Sequence, residues 1–249
     1  MSGHSKWATT KHKKAVIDAR RGKLFAKIIR QIEVAARDGG GNVDANPTLA
    51  DAVAKAKAAE MPNDTIDRAI KRGTGELEGM KYETLTYEGY GPGGVAVLLE
   101  VMTDNRNRAA ADVRRIFTRN GGSMGDPGSV SWMFTKKGLV LVPLSEAGEE
   151  EIFLLALEAG ADDIVQDGDY WQIVSAPEEL NRVKEALVAD GITPESARIS
   201  MEPENTLLLD RETAEKVLKL MEDLEDSDDV QEVYSNFEIP DELMAEISR

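Results

Sequence analysis

The sequence predicts an α+β protein in which helices come first and strands follow. Up to about residue 76 the apolar residues recur at helical spacing, as Leu49 and Val53 do. From Tyr82 onward, runs rich in β-branched and aliphatic residues alternate with amphipathic segments. At 249 residues the chain is long enough for two or three domains, each with its own core.

Three helices account for the N-terminal part. The first ends at Gly39-Gly40-Gly41, because glycine takes the left-handed cap conformation without a steric penalty. The second begins at Asn46-Pro47, an N-cap residue followed by a proline suited to the first helical turn. The helices are predicted at about residues 20–38, 47–60 and 62–72, within a helical domain of residues 1–76.

Two sheet-forming segments follow the helices. The first is predicted to contain the strands Thr84–Glu88, Val95–Thr103 and Val130–Phe134, with a helix at Arg106–Arg119. The second, between residues 135 and 204, has the order strand, helix, strand, strand, helix, strand, with Asp167-Gly168 as a hairpin turn. That order is the ferredoxin-like arrangement.

The last segment, residues 205–240, supplies one helix and one strand, which are too few to bury a core alone. The strand-strand-helix-strand set of residues 80–134 lacks its second half, so we expect the chain to return and complete it. The predicted fold is therefore α+β, with an N-terminal helical domain and two ferredoxin-like domains. The third domain, residues 135–204, is inserted between the two halves of the second, residues 80–134 and 205–240.

Charge is distributed unevenly along the chain. Residues 1–37 contain ten Lys or Arg and two acidic residues, a formal charge of +8, whereas all other residues together carry −24. A basic arm on an acidic protein indicates a polyanion as partner. The candidate nucleic-acid-binding residues are Lys6, Trp7, Lys11, Lys13, Lys14, Arg20, Arg21, Lys23, Lys27, Arg30 and Arg37.

Most of the positive charges on the first helix fall on one side of it. With about 3.6 residues per turn, Arg20, Lys23, Lys27, Arg30 and Arg37 lie within an arc of about 100°, next to a wider apolar arc. We expect the apolar arc to pack on the other helices and this cationic ridge to face water. Such ridges bind nucleic acids by releasing counterions from the phosphates. The alternative is that the ridge is only the solvated face of an amphipathic helix.

Two further candidates are less specific. Trp7 suits stacking on an unpaired base, and packing within the protein is the alternative. Arg106, Arg108, Arg115 and Arg119 form an auxiliary basic surface that either contacts phosphates or forms ion pairs with the acidic body. The chain has no Cys and only two His, so no metal site is expected.

Two glycine motifs resemble catalytic signatures without their context. Residues 89–94 match G-x-G-x-x-G, but a strand follows them where a dinucleotide site needs a helix. Residues 121–125 match G-x-S-x-G, but they follow a helix and precede a strand, the reverse of a nucleophile elbow. No enzyme activity and no cofactor are therefore predicted.

The densest acidic run is residues 222–229, EDLEDSDD. It lacks the glycine and the terminal glutamate of an EF-hand loop. We interpret it as a solvated helix end whose negative field keeps phosphates on the basic side. A loose divalent-cation site is the alternative.

Several long strings carry a family resemblance. They are GHSKW, KHKKAVIDARRGKLFAKIIRQI, YEGYGPGGVAVLLEVMTDNRNRAAADVRRIF and GSVSWMF. With them, residues 2–239 resemble the YebC/PmpR family. The resemblance implies a cytoplasmic three-domain protein that binds DNA and regulates transcription. Some members of that family are instead ribosome-bound translation factors, including a mitochondrial translational activator.

The predicted function is therefore a nucleic-acid-binding regulator of gene expression, most simply a DNA-binding transcriptional regulator. The alternative is a translation factor bound to the ribosome or its RNA. The partner is nucleic acid in either case, and no small-molecule substrate is expected. No apolar run approaches the roughly 20 residues that a membrane span needs, and the N-terminus lacks the apolar region of a secretion signal. Together with the family resemblance, this leads us to expect a cytoplasmic protein.

Overall fold

A computed structural model of the chain describes residues 18–247. These residues form two compact units, one from residues 18–127 and 215–233 and the other from residues 128–214 and 234–247. The helices are α1 (Asp18–Gly39), α2 (Pro47–Ala58), α3 (Asn63–Gly73), α4 (Arg106–Arg119), α5 (Glu149–Glu158), α6 (Leu180–Ala189), α7 (Arg211–Glu225) and α8 (Asp241–Ile247). The strands are β1 (Glu83–Tyr90), β2 (Ala96–Thr103), β3 (Ser123–Met124), β4 (Phe134–Pro143), β5 (Ala161–Asp167), β6 (Tyr170–Ser175), β7 (Ser196–Pro203), β8 (Leu207–Leu208), β9 (Val230–Ser235) and β10 (Phe237–Glu238).

The helices α1, α2 and α3 share one hydrophobic core, as the apolar arc of the first helix predicted. Ile32, Leu49 and Ala69 are completely buried in it. Hydrogen bonds of the Asn46 side chain link α1 and α2. The side-chain oxygen of Asn46 accepts a hydrogen bond from the Leu49 amide that starts α2. Its side-chain nitrogen donates to the carbonyl oxygens of Ala35 and Gly40 at the end of α1, both at 2.8 Å.

Two four-stranded sheets contain antiparallel pairs of the kind that a ferredoxin-like arrangement requires, and β8 and β10 form a separate parallel pair. The first sheet has the order β3-β1-β2-β9, so the strand that follows α7 lies beside β2. The second has the order β5-β6-β4-β7, and the elements β4, α5, β5, β6, α6 and β7 occur in the predicted sequence. The predicted fold class is confirmed. The division into residues 1–76, 80–134 with 205–240, and 135–204 stays a prediction.

One predicted strand is wrong. Residues 131–133 form a 3₁₀ turn where a strand over Val130–Phe134 was predicted, and β4 begins at Phe134. The Met133 amide donates to the Val130 carbonyl oxygen at 2.9 Å, which closes the turn. The indole nitrogen of Trp132 donates to the Ser129 carbonyl oxygen at 3.2 Å and holds the side chain outward, 67% exposed. Local hydrogen bonds therefore outweigh the β propensity of the segment.

The first glycine motif connects two strands, as the sequence predicted, and the second follows a helix, as predicted. Residues 89–94 lead from β1 through a 3₁₀ turn into β2, and no α-helix begins there. Residues 121–125 follow α4 and contain the short strand β3.

Candidate nucleic-acid interface

The predicted nucleic-acid-binding residues divide into three groups by position. Lys6, Trp7, Lys11, Lys13 and Lys14 lie outside the described residues. Arg20, Arg21, Lys23, Lys27, Arg30 and Arg37 lie on α1. The auxiliary residues Arg106, Arg108, Arg115 and Arg119 lie on α4.

The middle of the cationic ridge contacts the acidic segment, residues 222–229. The Lys23 ammonium group donates to a carboxylate oxygen of Asp226 at 2.7 Å and to the Asp226 carbonyl oxygen at 3.2 Å. The Lys27 ammonium group donates to the Glu225 carbonyl oxygen at 2.6 Å. The acidic segment therefore provides oxygen acceptors for the ridge, which the interpretation as a solvated helix end did not include.

Arg30 belongs to a cluster around the buried carboxylate of Asp229. The Arg30 guanidinium group lies 3.1 Å from one carboxylate oxygen of Asp229, and the two side chains are only 16% and 9% exposed. Arg108 donates to the other oxygen at 3.0 Å, and the Thr103 hydroxyl donates to the same oxygen at 3.1 Å. We call Arg30, Thr103, Arg108 and Asp229 the Asp229 cluster. The expectation that Arg30 faces water is wrong, because two arginines share one buried carboxylate.

Arg108 extends the cluster to the start of α4. It donates to a carboxylate oxygen of Asp104 at 2.6 Å, and this hydrogen bond lowers the pKa of Asp104 below its usual 3.8. The hydrogen bond to Asp229 raises the pKa of Arg108 further above its usual value. Arg108 is therefore held charged between two carboxylates.

Arg21, which is not a ridge residue, and Arg37, which is one, lie on α1 before and after Lys23, Lys27 and Arg30. The Arg21 guanidinium group pairs with Glu60 at 2.9 Å, with the side chains 47% and 80% exposed, and lies over the Phe25 ring. Arg37 donates to the Tyr82 carbonyl oxygen at 2.6 Å and to the Asp38 carboxylate at 2.9 Å. Exposed ion pairs of this kind contribute little to stability, so the pair between Arg21 and Glu60 is easily broken.

The remaining auxiliary arginines also have acidic partners. The Arg106, Arg115 and Arg119 side chains lie 4.0 Å from Glu83, 3.0 Å from Asp112 and 2.6 Å from Asp223, respectively. Of the two alternatives for the auxiliary surface, ion pairing with the acidic body is thus observed at each of these arginines. Arg114 on the same helix is exposed and makes no ion pair with another described residue.

Asp223 is the acceptor that connects α7 to the end of α4. Asn120 and Arg119 donate to one of its oxygens at 2.9 Å and 2.6 Å, and Lys219 lies 3.1 Å from the other. Burial alone would raise the pKa of Asp223, but the hydrogen bonds from Asn120, Arg119 and Lys219 outweigh burial and lower it to about 2.

The low pKa of Asp223 makes stability depend on pH in the acid range. A carboxylate with a lowered pKa stabilises the folded state above its ordinary pKa of 3.8, and this contribution is lost as the pH falls toward about 2. Because Arg119 and Lys219 are exposed, solvent screening reduces the effect to about 1 kcal/mol. We expect Asp223→Asn to reduce the free energy of unfolding at pH 7. Between pH 4 and pH 2 the free energy of unfolding should depend less on pH in this variant than in the unaltered chain. Urea unfolding at several pH values measures this slope, and an unchanged slope would contradict the assignment.

The acidic partners of the ridge were not predicted. Asp226 and Asp229 lie about 200 residues from Lys23 and Arg30, with separations of 203 and 199. The only signal available was complementary charge, since six of the eight residues in the acidic segment are acidic. Among the described residues there is no group of His, Asp and Glu arranged to hold a metal ion, and no helix is long and apolar enough to cross a membrane.

Comparison with known proteins places the chain in a family. Residues 5–76 match the family model described as the TACO1/YebC protein N-terminal domain, and residues 82–237 match the TACO1/YebC second and third domain. Proteins named probable transcriptional regulatory protein are 58% identical in Rubrobacter xylanophilus, over all of both chains, and 58% identical in Acidothermus cellulolyticus, over 99% of this chain and all of that one. The crystal structure of a conserved hypothetical protein from Aquifex aeolicus is similar with a TM-score of 0.83 at 50% identity, covering 92% of this chain and 94% of that one. The chain therefore belongs to the TACO1/YebC family.

Proposed function

We propose that this protein is a cytoplasmic, DNA-binding regulator of transcription. It binds phosphates through residues 1–17 and through the exposed cations Arg21 and Lys23 of α1. The relatives named probable transcriptional regulatory proteins support a regulatory role rather than an enzymatic one. The observation that carries the proposal is the concentration of positive charge. Residues 1–17 contain four Lys and no acidic residue, and they lead directly into the exposed Arg21 and Lys23.

The exposure of each α1 cation supports or disfavours a role in contacting phosphate. Arg21 and Lys23 are 47% and 41% exposed and face carboxylates that are themselves exposed, so phosphate is able to reach them. Arg30 is 16% exposed and neutralised by Asp229, so we assign it to folding instead. Release of counterions by the exposed cations supplies affinity without contact to base edges.

Neutralising the exposed cations Arg21 and Lys23 is expected to weaken DNA binding. The double variant Arg21→Gln/Lys23→Gln should lower the affinity for a DNA duplex roughly tenfold and reduce the salt slope by about 1.8, close to 0.9 for each lost phosphate contact. Fluorescence anisotropy over a salt series measures both quantities. Arg182→Gln/Lys184→Gln is the matched control, because it removes the same charge from the helix α6. Equal losses in the two variants would show that only net charge matters.

The kind of nucleic acid is tested separately. A footprint on promoter DNA that survives nonspecific competitor and disappears in Arg21→Gln/Lys23→Gln supports transcriptional regulation. Co-sedimentation with ribosomal subunits that is lost in the same variant, without any promoter footprint, would contradict it. That outcome would establish the ribosome-bound translation factor as the function.

A further inference from the structure

The cationic ridge of α1 already contacts anionic groups of the same chain. The acidic segment presents carboxylate and carbonyl oxygens to Lys23, Lys27 and Arg30, the kinds of acceptor that a nucleic-acid backbone also presents. We propose that the side chain of Asp226 occupies a phosphate position on the ridge, and that nucleic acid must displace it from Lys23 in order to bind there. This proposal rests on the proposed function, because it describes the regulation of the same surface.

The contacts differ in strength from one end of the ridge to the other. Lys23 and Asp226 are 41% and 60% exposed, and exposed pairs of this kind exchange readily because water and salt screen them. Arg30 and Asp229 are 16% and 9% exposed, and breaking a buried pair leaves an uncompensated charge. The outer contact is therefore the replaceable one, and the inner contact anchors the acidic segment.

The backbone of the acidic segment is held at both ends. Leu224, in the last turn of α7, is completely buried, and so is Val230 at the start of β9. The Asp226 amide donates to the Glu222 carbonyl oxygen at 2.9 Å, and the Met102 amide donates to the Asp229 carbonyl oxygen at 2.8 Å. The exchange is therefore a rotation of the Asp226 side chain away from Lys23, not an opening of the loop.

Competition of this kind makes the ridge selective. An isolated phosphate gains little at Lys23, because it replaces a carboxylate that already neutralises the ammonium group. A strand that also contacts Arg21 gains enough from its other phosphates to displace Asp226. The acidic segment thereby lowers the affinity for short or sparse polyanions more than the affinity for a continuous backbone.

A double-mutant cycle on the full chain tests this competition. Asp226→Asn should tighten binding of a fluorescein-labelled DNA duplex about two- to fivefold at low salt, the range expected for one exposed ion pair. In a chain that also carries Lys23→Gln, Asp226→Asn should increase the affinity for the duplex no more than the control substitution Glu185→Gln does. Glu185→Gln is the control for net charge, because Glu185 is exposed on α6. Asp226 and Glu185 are both exposed, so thermal unfolding should confirm that each variant is folded.

The outcomes separate the competition from the proposed function. If Asp226→Asn tightens binding equally in the unaltered chain and in the Lys23→Gln variant, the effect is one of net charge. The proposed competition would then be wrong. If Lys23→Gln weakens binding but Asp226→Asn changes nothing, the ridge binds DNA while Asp226 does not compete, and the proposed function survives. If the unaltered chain binds neither the duplex nor a single-stranded RNA probe, the proposed function and the competition both fail.

Discussion

Replacing Asp229 with alanine is expected to destabilise the protein by about 3–5 kcal/mol, the range found when one partner of a buried ion pair is removed. Asp229 is 9% exposed and accepts hydrogen bonds or ion pairs from Arg30, Arg108 and Thr103. Its removal would leave the guanidinium group of Arg30, itself 16% exposed, with no carboxylate within the Asp229 cluster. A largely buried guanidinium group that has lost its carboxylate is among the few local changes that reach this magnitude.

Urea unfolding followed by circular dichroism measures the loss, and the neighbouring Asp228→Ala is the matched control. Asp228 is exposed, and its carbonyl oxygen rather than its side chain accepts the hydrogen bond from Arg30. We therefore expect Asp228→Ala to change the free energy of unfolding by less than about 0.5 kcal/mol. Similar losses in the two variants would mean that the cluster is not the source of the stability.

The same cluster separates folding from binding on one helix. Arg30→Gln should reduce the free energy of unfolding, because Asp229 would lose one of its two arginines. Lys23→Gln should instead leave stability nearly unchanged and weaken DNA binding, because Lys23 is 41% exposed. The two residues lie in the same predicted ridge, and only the fold distinguishes them.

Local signals in the sequence predicted most of the elements but not the partners of the ridge. Asn46-Pro47 and the glycines after residue 38 mark helix ends through interactions within a few residues, so their effect is readable from the chain. The pair formed by Arg30 and Asp229 depends on β9 lying beside β2, a contact that no local pattern encodes. Helical periodicity grouped Arg30 with the other ridge residues, but it carried no information about what lies opposite, so Arg30 was wrongly expected to face water.

The prediction of a strand over Val130–Phe134 was wrong for a related reason. Val130 and Phe134 have high β propensity, yet that propensity largely reflects packing against neighbouring strands. The Trp132 indole and the Met133 amide instead form hydrogen bonds within the turn.

The glycine motifs have a steric explanation that centres on Phe117. This side chain is completely buried. A Cβ atom at Gly89 would lie 2.8 Å from the Phe117 ring, and one at Gly122 would lie 3.1 Å from it and 2.6 Å from the Tyr90 carbonyl oxygen. Gly89, the first glycine of G-x-G-x-x-G, and Gly122, at the variable position of the G-x-S-x-G match, are therefore glycines because the ring and the neighbouring backbone leave no room for a side chain. Neither position requires a nucleotide or a nucleophile to explain it.

Phe117→Ala is expected to destabilise the protein by about 3–5 kcal/mol, as for other buried phenylalanines whose removal leaves a cavity. Gly89→Ala should cost about 1–3 kcal/mol, because its Cβ atom meets both the ring and the Ser123 carbonyl oxygen, the latter at 2.7 Å. Gly148→Ala is the matched control, since open space surrounds the position of its Cβ atom. All free energies come from urea unfolding of the full chain.

The double variant Phe117→Ala/Gly89→Ala decides whether the ring is the reason for the glycine. Without the ring, the new methyl group meets only the Ser123 carbonyl oxygen among these two obstacles, and it fills part of the cavity left by the ring. The double variant should therefore lose less than the sum of the single losses, by at least about 0.5 kcal/mol, as expected for residues in contact. Strict additivity would show that the Ser123 carbonyl oxygen rather than the Phe117 ring excludes a side chain at position 89, and the explanation centred on the ring would then be wrong.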